Sequence, residues 1–90
     1  MTDPQLWHVY ILQCADRTLY TGVAKNVHAR LAVHNSGMGA KYTRSRLPVA
    51  LLYRESVEDR GLALQREHAI KKLTAAEKRK LISAKTCSPD

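Results

Sequence analysis

Two short runs of apolar, aromatic and β-branched residues open the chain. Residues 6–14 have the composition of a largely buried strand. Asp16 and Arg17 form a turn signal, and residues 18–23 predict a second strand, so the two runs form a β-hairpin. Gly22 lies inside the second strand, where a glycine marks a bulge or the close approach of another group to the backbone.

The middle of the chain predicts a helix, a loop and a third strand. Asn26 is a good N-cap for a helix over about 27–35, and Ser36 and Gly37 end it. Residues 36–47 predict a loop. Residues 49–53 predict a strand that is entered through Pro48, which suits the start of a strand.

The last third predicts two helices. Ser56 and Asp59 resemble a capping box, so the first of these helices should run to about Leu73. Thr74 and Glu77 form a second box, which starts a helix to about residue 84. The buried face of the first helix is expected to contain Leu62, Arg66, Ala69, Ile70 and Leu73. The order β-β-α-β-α-α predicts an α+β fold with a small antiparallel sheet covered by helices.

Chain length and cysteine usage bound the organisation of the protein. Ninety residues suffice for one domain with one modest core, expected over about 6–84 with a disordered tail at 85–90. Cys14 in an apolar run and Cys87 in the tail suggest neither a disulfide nor a zinc site, which favours a reducing cytoplasm. The first residues lack the regions of a signal peptide, and no apolar stretch is long enough to span a bilayer.

The charge balance narrows the choice of partners. Fifteen lysines and arginines against eight acidic residues leave a net charge of +7 at pH 7. So small a surface with that charge attracts polyanions, of which nucleic acid is the commonest. A basic protein that simply stays soluble is the alternative, and composition alone favours neither.

Arg30, His34 and Glu67 are candidates for chemistry on a phosphate. Arg30 and His34 lie one turn apart on the first helix, where a planar guanidinium suits phosphate and an imidazole exchanges protons near neutral pH. Taken alone, their spacing favours a solvated helix face over a phosphate site. Glu67 offers carboxylate oxygen to Mg²⁺, although an exposed i,i+4 pair with Lys71 explains it as well. A zinc site would draw on His8, His28, His34 and His68, but no two have the spacing of a zinc pair.

Tyr10 and Tyr20 lie on neighbouring predicted strands. An odd-length loop places paired even-numbered residues on one face of a sheet, and a three-residue loop at 16–18 would therefore put both phenols on the same side. Half-buried strand aromatics are the alternative explanation.

Five segments in this order resemble the GIY-YIG nucleases, and within them the small stand-alone YhbQ-like branch. The two triplets at 8–10 and 20–22 correspond to the signatures that name the family, with His8 in place of the first glycine and Thr21 in place of the isoleucine. The segments are WHVYIL at 7–12, LYTGV at 19–23, RLAVHNSG at 30–37, GAKYT at 39–43 and ALQRE at 63–67.

The resemblance implies a three-stranded antiparallel sheet flanked by helices and a divalent-metal phosphodiesterase that cuts DNA, in repair or in the processing of branched or single-stranded DNA. It implies that Tyr10, Tyr20, Arg30 and His34 are catalytic and that Glu67 binds Mg²⁺ or Mn²⁺. Tyr10 would activate water and Arg30 would neutralise charge on the phosphorus centre. The flanking DNA backbone would be bound by Lys25, Lys41, Arg44 and Arg46.

Two alternatives to a self-sufficient nuclease stay open. One is a nucleic-acid-binding module that keeps the fold without the chemistry. The other is a nuclease subunit whose DNA affinity comes from a protein partner. The proposed nuclease mechanism requires Tyr10, Tyr20, Arg30 and Glu67 on one side of the sheet.

Overall fold

The computed structural model describes residues 6–86 and folds them into one three-stranded sheet with helices on both of its faces. The predicted α+β class and the predicted flanked sheet are confirmed. The elements in chain order are β1 (Trp7–Gln13), β2 (Leu19–Ala24), α1 (Val27–Asn35), α2 (Lys41–Arg44), β3 (Ala50–Val57), α3 (Arg60–Lys71) and α4 (Ala75–Thr86). The last helix continues two residues beyond the predicted end, and residues 87–90 of the predicted tail, with Cys87, lie outside the described residues.

The hairpin register places the two tyrosines on one face. The sheet is antiparallel with the order β2-β1-β3, so β2 is an edge strand. Tyr10 pairs with Gly22 and Leu12 pairs with Tyr20. The turn is centred on Asp16, one residue earlier than predicted, since the Cys14 amide donates to the Thr18 carbonyl at 2.9 Å. Its length is still odd, and both phenols pack with the same core cluster, as predicted.

The sheet separates two core clusters. One contains Tyr10 and Leu12 of β1, Cys14 and Val49 next to the strands, and Val27 of α1. Tyr20 packs against it. The other contains Val9, Ile11 and Tyr53 from the sheet and Ala63 and Ile70 from α3, with Leu81 and Ile82 of α4 beside them. The helix α1 therefore covers one face of the sheet, and α3 and α4 cover the other.

The predicted start of α3 is wrong, and of the residues predicted for its buried face Ile70 alone is fully buried. Strand β3 continues to Val57, so Ser56 belongs to the sheet, and the N-cap is Asp59, whose carboxylate accepts from the Leu62 amide at 2.9 Å. The helix buries Ala63 and Ile70, whereas Leu62 stays 44% exposed. A shift of one residue rotates a helix by about 100°, and here it turns Glu67 towards the sheet.

The other helix boundaries are closer to prediction. Asn26 caps α1 by accepting from the Ala29 amide at 3.0 Å, and the bounds of α1 are those predicted. Thr74 and Glu77 make both hydrogen bonds of a capping box. The predicted loop at 36–47 contains the one-turn helix α2. In the part of the chain that the structure describes, no helix is long and apolar enough to cross a membrane.

Candidate active site at the edge of strand β2

A chain of three hydrogen bonds runs from Tyr10 through His34 and Thr43 to the Ala40 carbonyl. The Thr43 hydroxyl donates to the Ala40 carbonyl at 2.9 Å, so towards His34 it acts as an acceptor, at 2.9 Å from Nδ1. That places the imidazole proton on Nδ1 and leaves the Nε2 lone pair facing the Tyr10 hydroxyl, which donates at 3.1 Å. His34 is only 2% exposed and does not lie on a solvated helix face. Thr43 is fully buried, and sequence reasoning named it only as part of the 39–43 segment, without a role.

Two glycines make room for this chain of hydrogen bonds. A Cβ atom on Gly22 would lie 2.5 Å from the Tyr10 hydroxyl oxygen and 2.7 Å from its ring carbon Cζ. A Cβ atom on Gly39 would collide with the His34 imidazole and with the His34 backbone. The close approach predicted at Gly22 is confirmed, and the group that approaches is the phenol of its own cross-strand partner.

Burial and neighbouring charges set the protonation of the two central groups. Burial, followed by the neighbouring Tyr20, raises the pKa of Tyr10 to about 12; Arg30 acts against this and Glu67 adds to it. Burial, followed by the charge of Arg30, lowers the pKa of His34 below its ordinary value of 6.5. At neutral pH Tyr10 therefore keeps its proton and His34 is neutral, which matches the direction of the hydrogen bond between them.

Tyr20 belongs to an aromatic stack that reaches the surface. Its ring meets His34 edge-on, with centroids 5.3 Å apart. Its other neighbour is Tyr42, stacked at 6.0 Å with an interplanar angle of 26°. The Arg46 guanidinium lies 4.0 Å from the centroid of Tyr42. Tyr42 is 39% exposed, and the sequence carried no assignment for it.

Arg30 lies on the exposed surface of α1, one turn before His34. Within residues 6–84 no side-chain hydrogen bond or ion pair occupies its guanidinium. Its charge nevertheless acts on both Tyr10 and His34. It is thus an uncommitted cation beside the buried hydrogen-bond chain.

Glu67 comes from the opposite face of the sheet, and the expectation that all four groups lie on one side is wrong for this residue. It lies on α3 between Ala63 and Ile70, both fully buried, and its side chain is 18% exposed. The Lys71 ammonium lies 3.4 Å from one carboxylate oxygen, so the alternative i,i+4 pair is present. The charge of Glu67 still acts on the phenol of Tyr10, which lies over Gly22 in β2. Charged groups from both faces of the sheet therefore act on one phenol beside the edge strand.

Comparisons with known proteins show the family of this chain. The model of the GIY-YIG catalytic domain matches residues 6–80. The chain belongs to the GIY-YIG family. It is 55% identical over 84 residues to a UPF0213 protein of Desulfotalea psychrophila, covering 92% of this chain and 76% of the relative. It is 51% identical over 79 residues to a UPF0213 protein of Natronomonas pharaonis, covering 88% and 93%.

Solved structures extend the match to the fold. The NMR structure of a UPF0213 protein from Bacillus halodurans is 39% identical, covers 89% of this chain and 85% of its own, and gives a TM-score of 0.58. A second NMR structure, of a protein from E. faecalis, is 34% identical, covers 100% and 97%, and gives a TM-score of 0.63. The resemblance to the YhbQ-like branch is thus confirmed, and membership of the family supports a nuclease-type function.

The donor set of this GIY-YIG domain suits a hard divalent cation. GIY-YIG nucleases are generally divalent-metal dependent. Among residues 6–86 no three histidine, cysteine, aspartate or glutamate side chains lie together as a metal site. His8 instead faces the Ser56 hydroxyl at 3.0 Å, and His34 is engaged by Tyr10 and Thr43. One partly exposed carboxylate, Glu67, fits an ion such as Mg²⁺, which keeps several waters and takes phosphate oxygens as its other ligands.

The four cations expected to hold the DNA backbone do not form one cluster in the GIY-YIG domain. Lys25 lies 5.4 Å from the ring centroid of Trp7, at the open end of the hairpin. Arg46 pairs with Asp16 at the turn, 3.0 Å away, so it lies at the other end. Lys41 is exposed on α2, and Arg44 donates to the Gly39 carbonyl at 3.2 Å. Lys25 therefore lies away from the loop that carries the other three cations.

Proposed function

We propose that this GIY-YIG domain is a divalent-metal-dependent DNA endonuclease whose site lies at the edge of β2. The observation that carries the proposal is the convergence on one phenol. The Tyr10 hydroxyl donates to a neutral His34, while Arg30 from one face of the sheet and Glu67 from the other both act on it. A proton acceptor, a cation and a carboxylate around one hydroxyl are the groups that phosphodiester hydrolysis requires.

Tyr10 and His34 together would take the proton of the attacking water. With a pKa of about 12 the phenol is not ionised at neutral pH, so it acts by relaying a proton. As water attacks phosphorus, one of its O–H bonds breaks and the proton passes to the Tyr10 oxygen, while the Tyr10 proton passes to Nε2 of His34. The P–O bond to the leaving 3′ oxygen breaks on the opposite side. Thr43 keeps the acceptor nitrogen turned towards Tyr10 throughout.

Arg30, Tyr20 and Glu67 would hold the phosphate for this step. Arg30 presents a permanently charged planar guanidinium to the phosphoryl oxygens as negative charge builds on them. Tyr20 orients the water or donates to the phosphate. Glu67 would hold Mg²⁺ or Mn²⁺, which when bound polarises the phosphoryl oxygen and stabilises the leaving oxygen. Lys71 would release the carboxylate that it pairs with here.

A nucleic-acid-binding module without chemistry is the second candidate. The ion pair between Lys71 and Glu67 favours it, because a carboxylate already neutralised at 3.4 Å is a poorer ligand for a metal. A subunit that depends on a protein partner for DNA affinity is a third. The cellular role that we propose is DNA repair or the processing of branched or single-stranded DNA in the cytoplasm.

Cleavage and binding, measured separately, test the proposal. Purified protein is incubated with linear, branched and single-stranded DNA in Mg²⁺, in Mn²⁺ and in EDTA, and binding is measured in EDTA by fluorescence anisotropy. We expect cleavage with the metals alone. Arg30→Ala should lower kcat by about a hundredfold or more, and Glu67→Gln should abolish cleavage while leaving binding in EDTA within about twofold of wild type.

Glu58→Gln is the matched control, because Glu58 is an exposed carboxylate at the β3–α3 junction that makes no ion pair among the described residues. It should cleave like the wild type. Cleavage that survives Glu67→Gln would remove the metal role from this residue. Binding without cleavage in any metal would favour the binding module, and activity restored by a cell extract would favour the partner-dependent subunit.

A further inference from the structure

A groove leads away from Tyr20 along the start of α4. It consists of two adjoining cavities of about 340 and 260 Å³ that share Leu19, Tyr42 and Lys78 as lining residues. The first cavity extends to Arg17 in the hairpin turn, and the second extends to Tyr20 and Lys71. We call this the α4 groove. It connects the hairpin turn to the edge of β2, where the candidate site lies.

We propose that the α4 groove binds the sugar–phosphate backbone of the nucleic-acid strand being cut, with Lys78 as its principal phosphate contact. The proposal rests on the proposed function and adds a path for the substrate to it. A strand in the groove would pass Lys78 and arrive at Tyr20, which lines the cavity nearer the site.

The groove is lined by an aromatic side chain, Tyr42, and by a cation, Lys78. One wall is Tyr42, held from inside by stacking on Tyr20 and covered by the guanidinium of Arg46. The opposite wall carries Lys78, whose ammonium makes no ion pair within residues 6–84. Grooves that combine an aromatic surface with cations are typical of proteins that follow the backbone of a strand.

The charge balance of the groove is positive. Its cations are Arg17, Lys71 and Lys78, of which Lys71 pairs with Glu67 at 3.4 Å, against the single carboxylate of Asp16. That carboxylate is committed, since it pairs with Arg46 at 3.0 Å and accepts from the Thr18 hydroxyl at 2.6 Å. The positive charge of the groove is carried by side chains. The amides of Thr74 and Glu77 at the start of α4 already have partners in the capping box.

The cationic wall is fixed in place. Arg79, next to Lys78 in α4, donates to the Gln13 side chain at 3.1 Å and to the Arg17 carbonyl at 2.7 Å. These bonds attach α4 to the hairpin, and Leu81 and Ile82 pack against the core on the same helix. Lys78 is thereby held over the turn, and binding of a strand would not require ordering of the helix.

The groove also borders a hydroxyl that lacks a partner. Thr21 lines the cavity of about 260 Å³, and its Oγ1 is buried without a hydrogen bond, alone in this respect among the described side chains. An unpaired buried hydroxyl costs free energy. Rotation about the Cα–Cβ bond would offer it to a phosphate oxygen in the groove.

Lys78→Ala tests the proposal, with Lys80→Ala as its matched control. Lys80 is an exposed lysine of the same helix and lines a different surface, next to Ala76 and Ser83. A fluorescein-labelled 20-nucleotide DNA, single-stranded and then duplex, is titrated in EDTA at several salt concentrations by anisotropy. We expect Lys78→Ala to weaken binding several-fold at low salt and to reduce the slope of log Kd against log salt by about 1, as for one lost phosphate contact.

Cleavage in Mg²⁺ provides a second readout, in which Lys78→Ala should raise KM with little change in kcat. Lys80→Ala should match the wild type in both assays, and thermal unfolding confirms that both variants fold. If wild type binds and cuts DNA and the two variants behave alike, the groove proposal is overturned while the proposed function stands. If wild type neither binds nor cuts DNA, the proposed function fails and the groove proposal fails with it.

Discussion

At the scale of single residues, His34 is held by donors and acceptors on both of its ring nitrogens. Thr43 engages Nδ1 at 2.9 Å and Tyr10 engages Nε2 at 3.1 Å. The Thr43 hydroxyl donates its own proton to the Ala40 carbonyl. For this reason only one tautomer of the neutral imidazole forms hydrogen bonds with both Thr43 and Tyr10. Thr43 therefore positions the proton acceptor without touching the substrate.

Replacement of Thr43 tests that positioning role. Thr43→Val keeps the shape of the side chain and leaves the buried Nδ1 proton without an acceptor, which costs about 1–3 kcal/mol of stability. The ring then carries its proton on Nε2 in part of the molecules, so Tyr10 loses its acceptor. We expect kcat to fall about tenfold or more and Thr43→Ser to restore it. The ¹⁵N shifts of the imidazole report the tautomer, and an unchanged tautomer with unchanged kcat would refute the role.

At the scale of elements, the face shared by the hairpin tyrosines was predictable from the sequence. The start and the buried face of α3 were not. The shared face of Tyr10 and Tyr20 depends only on an odd loop length, which survived a turn centred one residue earlier than predicted. The face of α3 depends on which apolar stripe fits against the sheet. Ala63 is fully buried while Leu62 is 44% exposed, because the smaller side chain lets the helix approach the strands closely.

Strand β3 shows a similar limit. Its last residues are polar and suggested a helix cap, yet they are satisfied inside the sheet. Ser56 lies 3.0 Å from His8, and Glu55 accepts from Arg66 at 2.6 Å and from the Tyr53 hydroxyl. Partners of this kind come from distant parts of the chain, so local composition does not reveal them.

Gly22 leaves room for the phenol of Tyr10, its cross-strand partner. Gly22→Ala places a methyl group 2.5 Å from the Tyr10 hydroxyl oxygen, and Tyr10 is only 2% exposed. We expect a loss of about 1–3 kcal/mol in the free energy of unfolding and a fall in kcat at least as large as that of Tyr10→Phe. Chemical denaturation followed by the fluorescence of the single tryptophan, Trp7, measures the stability.

A double-mutant cycle separates this contact from a general effect on the strand. In a Tyr10→Leu background the alanine at position 22 should cost clearly less, because the phenol is absent. Gly61→Ala is the matched control, since a Cβ there meets only the Asp59 carboxylate, at 3.2 Å, and should change stability by less than about 1 kcal/mol. Equal costs of Gly22→Ala in the two backgrounds would contradict the proposed contact.

At the scale of the whole molecule, the protein keeps two neutral imidazoles inside a strongly cationic fold. His8 is 6% exposed and His34 is 2% exposed. Burial lowers the pKa of both, with a further contribution from Arg54 at His8 and from Arg30 at His34. The net charge is already +7 at pH 7. Each proton added to these side chains therefore works against both desolvation and the field of the other cations.

Stability should consequently fall as the solution becomes acidic. The folded-state pKa of each histidine lies below its unfolded value of 6.5, so between the two values the unfolded chain binds more protons. The stabilisation is complete above 6.5 and is lost as the pH falls through the lowered folded-state pKa. Within that window each histidine contributes up to about 1.4 kcal/mol per pH unit.

Denaturant unfolding at pH values from 8 to 5 should show the decline. His34→Gln should reduce its slope, whereas His28→Gln, at an exposed position of α1, should leave it unchanged. The same slope in wild type and His34→Gln would show that the buried imidazole is not the group that couples folding to protons.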